Sequence, residues 1–197
     1  THAHHDHLLW SDRFGAVPRW ASEATARVAQ AERPALLASL GEDASERTRA
    51  LLGCVAPTTS LTAGMLPPGV IAELIVHDAH APGHTAVWLP RQRVLIAGDM
   101  LSDVELPLPF DPDDVPSYLR GLARLEPYAH QAAVLIPGHG SVGTDARARH
   151  EADRRYLRDV ITHGMSGDAR IAGPGMAEEY ARLQRLVRED PPSGELT

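Results

Sequence analysis

Apolar positions along the chain change their period several times, and each change marks an element. Leu8–Phe14 is short, apolar and closed by Gly15, which predicts one or two helical turns with a glycine stop. Val17–Ala21 reads as a short strand. Ser22 is the expected N-cap of a helix over Glu23–Glu32, with Pro34 beyond its end. A second helix fits Ala44–Gly53, and Pro57–Pro68 is a turn-rich connector. Ile71–His77, Thr85–Leu89 and Arg93–Ala97 are strand-like, the last two flanking the Pro90-Arg91-Gln92 turn as a hairpin. Asp103–Pro116, broken by proline and aspartate, predicts a loop long enough to lie over a site. Tyr118, Leu119, Leu122 and Leu125 keep helical spacing within Val115–His130. Ala132–Ile136 predicts a buried strand that feeds Pro137-Gly138-His139-Gly140. Ala146–His163 and Met176–Glu189 are charged, amphipathic helices. Strands, hairpin and intervening helices together predict an α/β or α+β sandwich without internal repeats.

With 197 residues, 43% of them hydrophobic, the chain can bury a core and is expected to form one domain over residues 1–197. The net charge of −7 and the lack of any Lys/Arg run provide no electrostatic footprint for nucleic acid, so a nucleic-acid partner is not expected. A lone Cys54 excludes an internal disulfide. No apolar run approaches the roughly 18 residues of a membrane span, and no signal peptide is visible, so a cytoplasmic location is the expectation. Nothing in the sequence speaks to oligomeric state. Thr1 abuts the first candidate ligand, which leads us to expect an upstream strand-rich segment that supports the site.

The candidate chemistry begins at once: residues 1–7 read Thr-His-Ala-His-His-Asp-His. Residues two apart in an extended segment face the same way, so His2 and His4 can bind one ion together. Asp6 and His7 follow, where the chain is expected to turn into the Leu8–Phe14 helix. Gly83-His84-Thr85, Gly98-Asp99-Met100 and Pro137-Gly138-His139-Gly140 each add a ligand-type side chain at a strand end beside glycine. Imidazole and carboxylate are the donors that zinc takes when no thiolate is offered, and iron or manganese accept the same set. Gly-x-Ser-x-Gly is absent, and nothing around Cys54 resembles a nucleophile signature.

These motifs, in this order and spacing, resemble the metallo-β-lactamase superfamily over the chain from its first residues to about residue 140. The resemblance implies an αββα sandwich lacking its first strands, with residues 1–145 as the metal-site core and 146–197 as C-terminal helices. It implies two divalent metal ions, zinc by default: His2, His4 and His84 on the first, Asp6, His7 and His139 on the second, and Asp99 bridging both. A bridging Asp makes the pattern more similar to the glyoxalase II, lactonase and general hydrolase types than to the zinc β-lactamases, which lack it. The implied activity is hydrolysis of an ester, thioester, lactone or amide-type bond of a small organic substrate by a metal-bridging hydroxide. Asp6 is the expected catalytic carboxylate that orients this hydroxide. His5, His77, His80, His130, His150 and His163 fall outside the pattern. His5 is expected to point away from the metals, and His77 and His80 to support the ligands or line the pocket. The competing readings are a nucleic-acid-processing metallo-hydrolase, a di-iron redox protein, and a non-catalytic metal-binding remnant.

Overall fold

The computed structural model describes residues 1–15, 17–61, 65–110 and 113–191. Residues 62–64 of the expected connector, residues 111–112 of the expected loop and residues 192–197 of the C-terminal segment lie outside the described residues.

The amino-terminal part is small and mostly helical. α1 spans His5–Leu8, so the chain turns earlier than the Leu8–Phe14 pattern predicts; a 3-10 turn over Asp12–Phe14 follows. β1 (Trp20–Ala21) precedes α2 (Glu23–Ala38), and Ser22 Oγ caps α2 by accepting the Thr25 amide, as its position predicts. α2 does not stop before Pro34 but carries it internally. Proline costs a helix one donor and a local clash, and here the continuation buries Leu36 in one cluster with Ala3, Leu8, Ala29 and Leu52. α3 is Glu46–Leu51, shorter than the expected Ala44–Gly53, and β2 (Ala56–Pro57) pairs in parallel with β1.

The remainder is a four-stranded sheet and its helices. β3 (Glu73–His77), β4 (His84–Leu89), β5 (Val94–Gly98) and β6 (Val134–Pro137) lie side by side in chain order. β3–β4 and β4–β5 are antiparallel hairpins; β5–β6 is parallel, with α4 (Val115–Gln131) as the crossover that parallel pairing requires. α5 (Ala146–His163) and α6 (Met176–Glu189) have the predicted boundaries. Ile75, Ala86, Trp88, Leu95, Ala97 and Leu135 supply one sheet face to a core shared with Tyr118, Leu122 and Leu125 of α4 and Leu157 and Val160 of α5. Val94, Ile96, Val134 and Ile136 on the other face are only half buried.

All the candidate side chains gather at one end of this sheet. β3 ends there at His77, paired with His84 at the start of β4, and β5 and β6 deliver Asp99 and His139 just past their last residues. The amino-terminal segment docks at the same end, where the Thr85 amide donates to the Thr1 carbonyl at 2.9 Å. Among the described residues, no helix is long and apolar enough to cross a membrane.

Candidate metal centre

Two groups of ligand-type side chains converge at this sheet end: His2, His4, His80 and Asp99 in one, Asp6, His7 and His139 in the other. In each group one donor atom per residue lies within 4.8 Å of all the others. Six of the seven residues expected from the sequence are in this set, namely His2, His4, Asp6, His7, Asp99 and His139. The seventh, His84, is not. Its place is taken by His80.

The reason is local geometry. His84 Nε2 accepts the backbone N–H of Asp99 at 3.1 Å, and its ring lies fully buried between His2 (centroids 5.0 Å) and His77 (4.7 Å). His80 lies in the β3–β4 connection, where its Nδ1 meets the Leu108 carbonyl at 2.8 Å. That contact turns Nε2 inward, to 3.2 Å from His4 Nδ1 and 3.5 Å from Asp99 Oδ2.

Asp99 joins the two groups. Its Oδ2 lies 3.4 Å from His2 Nε2 and 3.4 Å from His139 Nε2, while its Oδ1 lies 2.9 Å from His7 Nε2. Asp6 Oδ2 stands 3.0 Å from His139 Nε2 and 3.3 Å from His7 Nε2. Burial works against the Asp99 charge, but hydrogen bonds from His2 and His7 hold its carboxyl well below the usual range. Burial pushes His2 down to about 3, His80 to about 4, and His84 well below its ordinary value. These imidazoles are therefore neutral at pH 7, the form that offers a lone pair to a metal.

Residues 1–139 of the 197 match the family model of the metallo-beta-lactamase superfamily. The chain belongs to this superfamily. Its fold is also that of a metallo-beta-lactamase family protein from Thermus thermophilus, with a TM-score of 0.60 and 22% identity over 96% of this chain and 73% of that one. A beta-lactamase domain protein from Burkholderia ambifaria is similar at a TM-score of 0.56 and 21% identity, over 96% and 67% of the respective chains. No curated protein matches the chain at a significant level.

The donors are spaced as the ligands of a metal ion are. Two donors each 2.0–2.1 Å from a tetrahedral zinc stand about 3.3 Å apart. The separations of 3.2, 3.4 and 3.5 Å in the first group and 3.0 and 3.3 Å in the second scatter around that edge length. His2 Nε2 and His4 Nδ1, at 2.8 Å, are closer than a shared ion would hold them. The donor set fits divalent cations.

Several residues that carry no ligand atom hold this arrangement. Thr1 Oγ1 lies 3.1 Å from His2 Nδ1 and 2.9 Å from His7 Nδ1, touching one imidazole of each group. Ser102 Oγ donates to the His139 carbonyl and accepts the Val104 and Glu105 amides. Leu101, between Asp99 and Ser102, adopts a left-handed φ of 60°, a conformation that costs a non-glycine residue energy. Arg170 Nη1 donates to the Ser102 and Glu105 carbonyls and to Asp153 Oδ1, tying this loop to α5. Glu105, half buried, faces His139 Nδ1 at 3.8 Å. Leu108 and Phe110, within the loop predicted to lie over a site, stand beside the first group, and the Phe110 ring meets His4 edge-on at 5.2 Å.

His5 belongs to neither group. His150 is buried on α5 against the Leu122 carbonyl, and His130 and His163 are exposed. An apolar cavity of about 320 Å³ lies on the other sheet face, lined by Leu74, Val87, Trp10 and Trp20, and touches the site at Thr1 and His7.

One sequence signal did distinguish His84, at the start of β4, from His80 in the β3–β4 connection. His84, Ala86 and Trp88 alternate along β4, which puts His84 on the buried face with the core. His84, expected from the sequence on the first ion, stands behind that group, and His80 stands within it.

Proposed function

We propose that the chain is a two-ion metallo-hydrolase of small organic substrates, with His2, His4 and His80 on one ion, Asp6, His7 and His139 on the other, and Asp99 shared. The observation that carries this reading is the reach of Asp99, whose two carboxylate oxygens contact imidazoles of both groups. Two divalent cations held there, zinc being the default for nitrogen and oxygen donors, supply Lewis-acid polarisation of a carbonyl and bring the pKa of water down toward 7.

The chain's own residues do the rest. Asp99 is kept ionised and in place, so it opposes the positive charge of the centre at constant geometry. Asp6 is half exposed at the mouth of the second group. It orients the attacking water toward the scissile carbon, accepts its proton on the carboxylate and passes it to the leaving group. His139, also part exposed, borders the same opening. Phe110 shields the His4 side from bulk water, which strengthens every electrostatic interaction behind it. Bonds of the ester, thioester, lactone or amide type suit this arrangement, because each has a carbonyl to attack and a leaving group to protonate. The net charge of −7 supports a small-molecule substrate over a nucleic acid.

The test combines metal analysis with a substrate panel. The purified chain is expected to hold two equivalents of a divalent metal, to lose activity on esters, lactones or thioesters under chelation, and to regain it with added zinc. Asp99→Ala should lower stoichiometry and turnover together. Chelator-insensitive turnover, or an Asp99→Ala variant with two metals and full rate, would exclude the assignment.

A further inference from the structure

We propose that His84 is a positioning residue for the bridging carboxylate: it holds Asp99 by its backbone amide, and this hold is what lets one aspartate serve two ions. The inference rests on the two-ion reading above and extends it to a side chain that carries no ligand atom.

The Asp99 amide N–H points at His84 Nε2 from 3.1 Å, so that nitrogen must present a lone pair and the single ring proton sits on Nδ1. The lone pair is then committed to the amide of Asp99 and is not available to a metal. The ring cannot turn away from this task. It is fully buried, with His2 stacked on one side at an interplanar angle of 26° and His77 on the other at 25°. His77 is itself fixed, since its Nδ1 accepts the Ala79 amide at 3.3 Å.

Three near-parallel rings thus form a column from the end of β3 to the first metal group, and its middle member grips the residue that links both groups. The backbone at the grip is shaped for this approach. Gly98 has φ 58°, and a Cβ there would lie 2.5 Å from His84 Nε2 and 3.1 Å from Thr1 Cβ. Only glycine lets the strand come this close to the imidazole. His84 Nδ1 is buried without a hydrogen-bond partner among the described residues. Such an orphan costs stability, and a site that tolerates it gains the fixed acceptor on the opposite nitrogen. With the Asp99 amide anchored, the carboxylate has only its own side-chain torsions to adjust, and it stays between the groups.

The experiment compares the full chain with His84→Phe, which keeps a flat ring in the column but has no acceptor, and His84→Gln, whose amide oxygen can accept the same N–H. Two readouts are taken. In the metal-free chain, hydrogen exchange of the Asp99 amide is expected to be slow in wild type and Gln and at least about tenfold faster in Phe. In Zn2+ titrations against a chromophoric chelator, wild type and Gln are expected to bind two equivalents, and Phe to lose about 10–100-fold in affinity for one of them, the range seen when an outer partner of a metal ligand is removed. Nitrogen-15 NMR should show the His84 ring in the same neutral form before and after Zn2+ is added.

Equal Zn2+ affinities for wild type and Phe would overturn the proposal, and so would a His84 nitrogen shifted to a metal-bound value. If Phe fails to fold, Gln decides: a protected Asp99 amide with two bound equivalents supports the proposal, and loss of amide protection overturns it. A wild-type chain that protects the Asp99 amide yet binds no Zn2+ supports the grip and overturns the two-ion reading alone.

Discussion

His80 Nε2 lies 3.2 Å from His4 Nδ1, although the two residues are 76 positions apart in the chain. At most one proton fits between two ring nitrogens at that distance, so at least one of the two presents a lone pair. In the two-ion reading His80 is then an essential donor. His80→Ala is expected to bind one Zn2+ where wild type binds two, and to lose turnover by more than about 100-fold, beyond the range for outer partners of metal ligands. Calorimetric titration with Zn2+ checks the first and steady-state rates the second. An unchanged stoichiometry of two would remove His80 from the centre.

Gly138 sits against the Asp99 carboxylate. A Cβ at this position would overlap Asp99 Oδ1 and stand 2.9 Å from His7 Cε1. Gly138→Ala should therefore push the carboxylate out of reach of His7 and weaken the second ion by about tenfold or more, by analogy with loss of outer-shell support. The thermal midpoint should change little, because residue 138 is exposed on its other side. A variant with wild-type Zn2+ affinity would show that the loop simply shifts.

Thr1 Oγ1 contacts Nδ1 of both His2 and His7. Those rings turn Nε2 toward Asp99, so with metal bound each carries its proton on Nδ1 and donates to the hydroxyl, which has two lone pairs to accept them. Thr1→Val keeps the shape and removes the acceptor, and should weaken both ions. Thr1→Ser should restore them. Competition titrations for the three proteins test this, and Val behaving like Thr is the outcome that counts against it.

Acid should destabilise the metal-free chain through its buried histidines. Burial pushes His77 down to about 4. A depressed imidazole contributes its full stability above the unfolded value near 6.5, loses it progressively as pH falls toward 4, and loses no more below that. The His77 share is about 3 kcal/mol across that window. Urea unfolding at pH 7.5 and pH 4.5 should show a smaller difference in His77→Gln than in wild type. Identical pH dependence in the two proteins would mean that His77 titrates normally.

Asp153 and Arg170 form a buried pair at 2.7 Å that ties the loop after Asp99 to α5. Burial raises Asp153 to about 6 against the pull of Arg170, so the pair is charged at neutral pH. Asp153→Ala leaves the guanidinium in the interior without this partner, at an expected cost of about 3–5 kcal/mol. Denaturant unfolding measures it. A loss below about 1 kcal/mol would indicate that Asp168, at 2.8 Å, suffices as partner.

Much of this molecule is written locally. The hairpin of β4 and β5, the boundaries of α5 and α6 and the Ser22 cap follow from alternation, amphipathic period and one hydroxyl, all interactions between residues a few positions apart. The chemistry of the amino-terminal histidines and aspartate was equally visible, because donor type belongs to the side chain whatever surrounds it. Local rules failed where distant partners intervene. α2 runs through Pro34 because Leu36 finds Ala29 and Leu52 to pack against.

The choice between His80 and His84 belongs to that second kind. The amino-acid order by itself pointed to His84 as the partner of the amino-terminal cluster and put Asp99 and His139 at the ends of apolar strands. Only the tertiary structure decided which imidazole aims at the shared space, because the aim is set by the Leu108 carbonyl behind His80 and the Asp99 amide in front of His84. Hydrogen bonds select a ring's direction, and these two come from chain segments 28 and 15 residues away.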